Sequence, residues 1–315
     1  MGDLPAARVN PSRPFTHTGV DFTGHIFIKR SPRSAVREKA YVAVFVCLST
    51  KAIHLELVSD MTSKAFIAAF KRFVSRRGLP AHMYSDNGTN FVGGEKELRH
   101  ILQKHETQRM IANEAAAQHV QWHFNPPGAP HQGGIWEAAV KSFKRHFLRV
   151  IGPTPFLYEE LNTLIIEIEA VLNSRPLVAL TDHPQDALSL TPGDFLTGGA
   201  LTQMPIEDLQ PNTKNRVKRL TLLNKIRHDF MMRWKHEYLN TLQQRNRWNK
   251  EYPNLKEGDI VLMRSDLANV KWPLGIIDKV FPGKDNKVRV AQVRSNYKVY
   301  ERPITKLIKL PIQDE

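Results

Sequence analysis

The run Tyr41–Leu48, YVAVFVCL, holds eight residues without one charged side chain, and it constrains the fold more than any other stretch. A run of that length, rich in Val and too short for a typical helix, reads as a buried strand. Strand-like stretches stand on either side of it, His17–Lys29 and Ile53–Val58. The second alternates apolar and polar residues, the pattern of a half-exposed strand. A helix is predicted next, over MTSKAFIAAFKRFVSRRG, with Thr62 or Ser63 as its N-cap and Gly78 just past its end. Ala65, Phe66, Ala69, Phe70 and Phe73 fall at helical spacing along it. A short strand, HMYS, leads into the loop DNGTNF, and residues 95–118 read as a bent or interrupted helical region. VQWHF is a further strand, followed by the loop NPPGAPHQGG and by helices over Ile135–Ile151 and Tyr158–Asn173. Strands first, then strands alternating with helices, predict a mixed α/β sheet with helices packed against it.

Beyond that region the texture changes twice. Residues 213–247 form a long helical pattern in which Val217, Leu220, Leu223, Ile226, Phe230, Trp234, Tyr238 and Leu242 make one stripe. After Pro253, five short strand-like segments separated by breaks such as PGKDN predict a small antiparallel barrel, with Trp272 and Phe281 in its core. A length of 315 residues suits about two domains. The expected boundaries are a lead-in over 1–12, a core over 13–205, a helical linker over 206–250 and the barrel over 251–315.

The net charge of +14 is unevenly spread: +2 over residues 1–210, +9 over 211–250 and +3 over 251–315. Positive charge concentrated in forty residues is the usual electrostatic footprint of a polyanion partner, and a solvated face is the alternative that charge alone does not exclude. KNRVKR at 214–219 has the composition of a nuclear-import signal, but reads better as a solvated helical face. No window of 18 apolar residues occurs, and MGDLPAARVN lacks an apolar core, so neither a membrane span nor secretion is expected. Gly2 could suggest myristoylation, but Ala6 stands where that motif needs Ser or Thr. The one cysteine, Cys47, sits in the apolar run and reads as a buried thiol, which excludes an internal disulfide and a thiolate zinc cluster. A reducing compartment follows, and the expectation is a nuclear protein with a cytoplasmic phase.

Three carboxylates stand out by context. Asp21 lies inside the strand pattern HTGVDFTG, Asp86 follows HMYS at a sharp turn, and Glu137 opens a helix after a Gly-rich loop. There are 64 residues between the first two and 50 between the last two. Acids at a strand end and a helix start can converge on one sheet edge, where their mutual repulsion calls for cations. Hard oxygen ligands select Mg²⁺ or Mn²⁺, and two such ions about 3.5–4 Å apart can drive phosphodiester transfer.

The stretches RPFTHTGVDFTG, IHLELVSDMTSKAFIAAFKRFVSRRGLP, YSDNGTNFVG and NPPGAPHQGGIWEAAVKSFK together resemble the catalytic core of retroviral and retrotransposon integrases. That family has an RNase H-like fold and an Asp, Asp, Glu triad. With PHQGGIWE, LTPGDFLTGG and FMMRWKHEYLNTLQQRNRW, the chain looks closest to Pao/BEL-type retrotransposon integrases, from about Arg13 to Leu310. The resemblance implies an RNase H-like catalytic core, a basic helical linker and a small Src-homology-3-like, DNA-binding β-barrel. It places the metal ligands and catalytic acids at Asp21, Asp86 and Glu137, with two Mg²⁺ or Mn²⁺ ions and no small-molecule cofactor. The partners it implies are double-stranded DNA, as element ends and as target, and further copies of the chain. Two departures matter. The spacing of the last two acids exceeds the retroviral one, which we read as an insertion in 95–118. The family's N-terminal zinc module of two His and two Cys is missing, so Met1 is expected to be an artificial start or an internal methionine of a longer polyprotein.

Further contacts follow from position. Lys141 and Lys144 stand four and seven residues after Glu137, on one helical face, and would reach DNA phosphates. Asn87 and Asn90 either bond the phosphate backbone or stabilise the turn, and His131 and Gln132 would position water or substrate. His123 and His131 invite a zinc reading that no Cys or second His pair supports. Arg245, Arg247 and Lys250, with Trp248 among them, combine phosphate-pairing charge with a stacking surface. The expected function is metal-dependent cleavage and strand transfer of element DNA ends into target DNA. Two rivals are a domesticated DNA- or chromatin-binding relative without catalysis, and an RNase H-like nuclease that cuts without joining.

Overall fold

The computed structural model describes residues 5–86, 88, 90–98, 120–125, 134–152, 155–180, 189–199, 201, 215–242, 253–264, 272–295 and 298–310, leaving aside the side chains of 134–138 and 215–218. The chain divides into two compact units, Met1–Leu172 with Gln210–Ile226, and Asn173–Leu209 with Arg227–Glu315.

In the first unit, a helical turn α1 (Ala6–Val9) precedes a mixed sheet. Its strands are β1 (His17–Phe22), β2 (Ile26–Lys29), β3 (Arg37–Cys47), β4 (Ile53–Val58), β5 (His82–Ser85), β6 (Gln121–Phe124) and β7 (Phe156–Leu157). The apolar run fills the second half of β3, flanked by β1 on one side and β4 on the other, both antiparallel. β5 joins β1 in parallel and β6 joins β5 in parallel, so the sheet turns from antiparallel to parallel at β1. The stretch His17–Lys29, expected as one strand, is two. Thr23 interrupts it: its backbone N–H donates to Val42 O and its hydroxyl accepts the Val42 N–H, replacing the regular ladder.

The helix α2 (Ser63–Arg77) begins where Thr62 Oγ1 accepts the Ala65 N–H at 3.2 Å. It ends at Gly78, φ 85°, beside the Arg13 guanidinium, which donates to Arg77 O and Leu79 O. A Cβ at position 78 would run into that guanidinium. Phe66, Phe70 and Phe73 are buried, and Phe73 stacks on Phe45 of β3 with ring centroids 4.4 Å apart. Truncating a ring packed this way costs about 3–5 kcal/mol. Residues 90–98 form the described part of α3, and α4 (Gly134–Ile151) packs against β1 and β3. The buried Val140, Phe143, Phe147 and Ile151 make its inward stripe. α5 (Tyr158–Asn173) spans the limits read from the sequence.

β4 departs from expectation, because all six of its residues are buried. Its polar face meets α2 and α5 rather than water. Glu56 accepts from Arg72 Nε at 2.6 Å and His54 Nε2 at 2.9 Å, and pairs with Arg76. Glu169 of α5 accepts the Leu55 N–H at 2.8 Å and Arg77 Nη2 at 2.5 Å. Burial pushes the Glu169 carboxyl up, but His54, the Leu55 N–H and Arg77 outweigh it and leave the group below its ordinary value. Alternation of residue type was a sound guide to the strand, but these helices cover the face it was expected to expose.

The second unit holds a two-stranded ladder, β8 (Val178–Ala179) with β9 (Ser189–Leu190), then α6 (Asp194–Thr197) and most of α7 (Asn215–Leu242). Five strands follow: β10 (Ile260–Met263), β11 (Leu274–Pro282), β12 (Val288–Ser295), β13 (Lys298–Pro303) and β14 (Leu307–Lys309). β10 to β13 run as an antiparallel meander, and the 3₁₀ turn Ile304–Lys306 returns the chain so that β14 pairs with β10. Leu239 packs with Ile260, Leu262, Ile276, Ile308 and Leu310, and Trp272 lies against that cluster. Phe281, expected in the core, is instead 38% exposed on the outer face of β11, with the Lys279 ammonium 5.7 Å from its ring centroid. The register shift between Ile277 and Lys279 carries the end of the strand past the core. Within α7, Ile226, Phe230 and Trp234 are buried, whereas Leu220, placed in the same stripe by spacing, is 51% exposed. Arg219 belongs to the first unit and is no solvated cation: it donates to Glu160 and to Pro155 O. Among the described residues no helix is long and apolar enough to cross a membrane.

Candidate active site

Parity along β1 decides where its acid stands. Phe22 meets Phe66 of α2 at 6.2 Å, so Asp21 alternates to the other face with His17 and Gly19. β5 follows the same rule, because His17 stacks on His82 at 4.6 Å, putting His82, Tyr84 and then Asp86 on that face. The parallel register pairs His17 with His82, Thr18 with Met83 and Gly19 with Tyr84. The ladder ends there; continued two residues further, the same register would bring Asp21 level with Asp86, one strand spacing of about 4.8 Å away. Each acid is fixed by a backbone donor: the Phe22 N–H meets Asp21 Oδ1 at 2.7 Å and the Gly88 N–H meets Asp86 Oδ1 at 2.9 Å. Asp21 is half-buried and Asp86 is exposed at the strand end.

Glu137 lies in the first turn of α4, and its side chain is outside the described residues. Lys141 and Lys144 are exposed on the same helix. The Lys144 side chain passes so close to Gly24, three residues after Asp21, that a Cβ there would sit 3.3 Å from its Cε. A cationic arm from α4 thus reaches the β1 end that carries the first acid. Asn90 is buried, with Oδ1 turned to Gly88 and its Nδ2 without a hydrogen-bond partner among the described residues, so it underlies the turn rather than standing on the surface. Asn87, His131, Gln132, Arg245, Arg247 and Lys250 lie outside the described residues. Among the described residues no group of three or more His, Cys, Asp or Glu forms a metal site.

Sequence reasoning missed a row of rings beside the acids. His82 Nδ1 lies 3.1 Å from His123 Nε2, and His123 stacks on Tyr84 at 4.7 Å. Burial, then the neighbouring imidazoles, holds His17 and His123 below the ordinary value of 6.5. The signal was present: HTGVD and HMYSD place a histidine four residues before each strand-borne acid. His123, weighed as a zinc ligand, belongs to this row.

Residues 11–128 match the family model for the integrase core domain, a span that includes Asp21 and Asp86 and stops before Glu137. Residues 218–310 match a family of unknown function. A comparison with curated proteins gave no match. Solved structures similar to this chain include an intasome of simian T-cell lymphotropic virus in complex with PP2A regulatory subunit B56 gamma. It is 13% identical, with a TM-score of 0.42, covering 100% of this chain and 85% of that one. Another is the HTLV-2 integrase catalytic core domain in complex with magnesium, 21% identical, TM-score 0.34, covering 51% of this chain and 87% of that one. The catalytic core domain of BIV integrase is 13% identical, TM-score 0.35, covering 58% and 95%. Over residues 11–128 the chain is similar to the integrase core domain family.

Proposed function

We propose that the protein is a retrotransposon integrase of Pao/BEL type, which cleaves the ends of element DNA and joins them to a target duplex in the nucleus. The observation that supports this reading is the parallel register of β1 and β5, which pairs Gly19 with Tyr84 and, continued two steps, would set Asp21 level with Asp86. Two carboxylates one strand apart repel each other and supply only hard oxygen donors, a set that suits Mg²⁺ or Mn²⁺ and not zinc. Asp21, Asp86 and Glu137 would hold two such ions. Bound there, the ions supply charge for the attacking and leaving oxygens of a phosphodiester.

The rest of the work falls to the chain. The Phe22 and Gly88 N–H groups hold one oxygen of each strand-borne acid, keeping the carboxylates oriented before DNA arrives. Lys144, lying along Gly24, would pair a phosphate next to Asp21, and Lys141 one turn back on α4 would take a neighbouring phosphate. Asn87, His131 and Gln132 are assigned to the same DNA end, and Arg245, Arg247 and Lys250 to the duplex beyond it. The test uses a labelled duplex matching the element's end, a target plasmid and Mn²⁺, with joined product as the readout. Asp21→Asn, Asp86→Asn and Glu137→Gln should each abolish cleavage and joining while circular dichroism stays native. A variant that still joins at near wild-type rate removes its residue from the triad, and a wild-type chain that binds DNA but never joins favours the non-catalytic reading.

A further inference from the structure

We infer that Ser85, driven by Trp122, is a positioning residue for Asp86; the inference rests on the reading of Asp86 as a metal ligand. Ser85 ends β5 and is fully buried, immediately before the acid. Its hydroxyl accepts the Trp122 Nε1–H at 2.9 Å and donates to the carbonyl of Asp86 at 2.9 Å. A serine hydroxyl has one hydrogen. With the indole N–H directed at its oxygen, that hydrogen goes to the Asp86 carbonyl, which fixes the plane of the peptide following Asp86. The Ser85 carbonyl is held as well, by the Asn125 N–H at 2.9 Å. β6 and the residue that follows it therefore grip the residue before Asp86 at two points.

The indole is not free to choose its direction. Trp122 lies edge-on to Phe66 of α2 at 5.8 Å and stacks on Phe124 at 6.0 Å. Packing against α2 thus aims the N–H, the N–H sets the hydroxyl, and the hydroxyl sets the backbone from which the carboxylate projects. On the far side of Asp86, the Gly88 N–H holds Oδ1, and a Cβ at Gly88 would lie 2.7 Å from Asn90 Oδ1 and 3.0 Å from Asp86 Oδ1. A Cβ at position 88 would displace both side-chain oxygens, so the acid is gripped on both sides of the turn. Groups that orient a metal ligand in this way typically change metal affinity by about 10–100-fold when removed.

The experiment is a titration of the full chain with Mn²⁺, read by the electron paramagnetic resonance of free Mn²⁺, beside thermal melting. Ser85→Ala should weaken Mn²⁺ binding by about ten-fold. Trp122→Phe, which keeps a ring between Phe66 and Phe124, should weaken it as well, and the double variant should bind no worse than Ser85→Ala. A folded Ser85→Ala with wild-type affinity overturns the inference, as does a double variant whose loss is the product of the two single losses. If Ser85→Ala does not fold, Trp122→Phe decides by the same criterion. Asp86→Asn separates this inference from the reading beneath it. Wild-type Mn²⁺ affinity in Asp86→Asn would remove Asp86 as a ligand and take the inference with it. Lost binding in Asp86→Asn with retained binding in Ser85→Ala would overturn the positioning role alone.

Discussion

Replacing Arg77 by Met should expose how the polar face of β4 is kept dry. In the folded chain the Arg77 guanidinium donates to Glu169 at 2.5 Å and, through Nε, to His54 Nδ1 at 3.3 Å. His54 must then be neutral, with its Nε2–H given to Glu56. Removing Arg77 leaves a buried carboxylate that still accepts the Leu55 N–H but has lost its guanidinium, and stripping one partner from a buried pair costs about 3–5 kcal/mol. At roughly 2–4 °C per kcal/mol for a unit of this size, melting should fall by about 10 °C. The deficit should also depend on pH. Arg77 is one of the groups that lower the His54 pKa, and Glu169 Oε2 lies 3.5 Å from its Nδ1. Without the guanidinium the imidazole gains a carboxylate partner, so its folded pKa rises. Burial, more than the arginines, holds the wild-type value below 6.5. An upward shift from there lets the folded variant bind its proton at a higher pH than the wild type, and the deficit grows as pH climbs through the variant's folded value. The variant should therefore be nearer wild type at pH 6 than at pH 8. Urea unfolding at both pH values, followed by far-ultraviolet circular dichroism, measures this, and Arg77→Met with Glu169→Leu should recover most of the loss. A deficit below about 1 kcal/mol at pH 8, the range of an exposed pair, would refute the argument, as would a larger deficit at pH 6.

Mg²⁺ or Mn²⁺ at about ten times its dissociation constant should stabilise the chain by about 1.4 kcal/mol, seen as a higher melting temperature, while a zinc-specific chelator changes nothing. His17 and His123 have folded pKa values lowered from 6.5, so their contribution is complete above that value and declines as pH falls below it; urea midpoints from pH 7.5 to 5.5 should drop, and His123→Gln should flatten that slope. Replacing Arg245, Arg247 and Lys250 by Gln should flatten the log–log salt dependence of duplex affinity by up to about three contacts of −0.9 each. Replacing Lys141 and Lys144 by Gln should weaken joining more than duplex binding, and the reverse order would return the DNA grip to the core.

Much of the first unit was legible because its elements are bounded by strong local signals. Thr62 and Gly78 close α2 at both ends, and the all-apolar half of β3 admits only a buried position. What local pattern could not show was the environment of a polar face. His54 and Glu56 alternate with apolar neighbours as surface residues do, and only tertiary packing brings Arg72, Arg77 and Glu169 over them. Phe281 failed in the opposite sense. It stands four residues after the buried Ile277, on the same face of an unbroken strand, but a one-residue shift in pairing moves a whole strand face from core to solvent.

The candidate site was legible for a different reason. An acid at the end of a strand is unremarkable alone, and two become a pair only when the register of the strands is known. That register is written in the side chains between them. His17 stacks on His82, Gly19 pairs with Tyr84, and Asp21 and Asp86 would follow two steps on in the same register. The repeated spacing of histidine and aspartate in HTGVD and HMYSD thus encodes a pairing. The histidines align the strands at one end, and the acids meet at the other because they are equally far along. A one-residue slip would separate the histidine rings and the carboxylates together, sending one acid to the α2 face among Phe22 and Phe66. An uncompensated carboxylate among those rings would cost several kcal/mol, so the apolar face enforces the alignment that the acidic face needs.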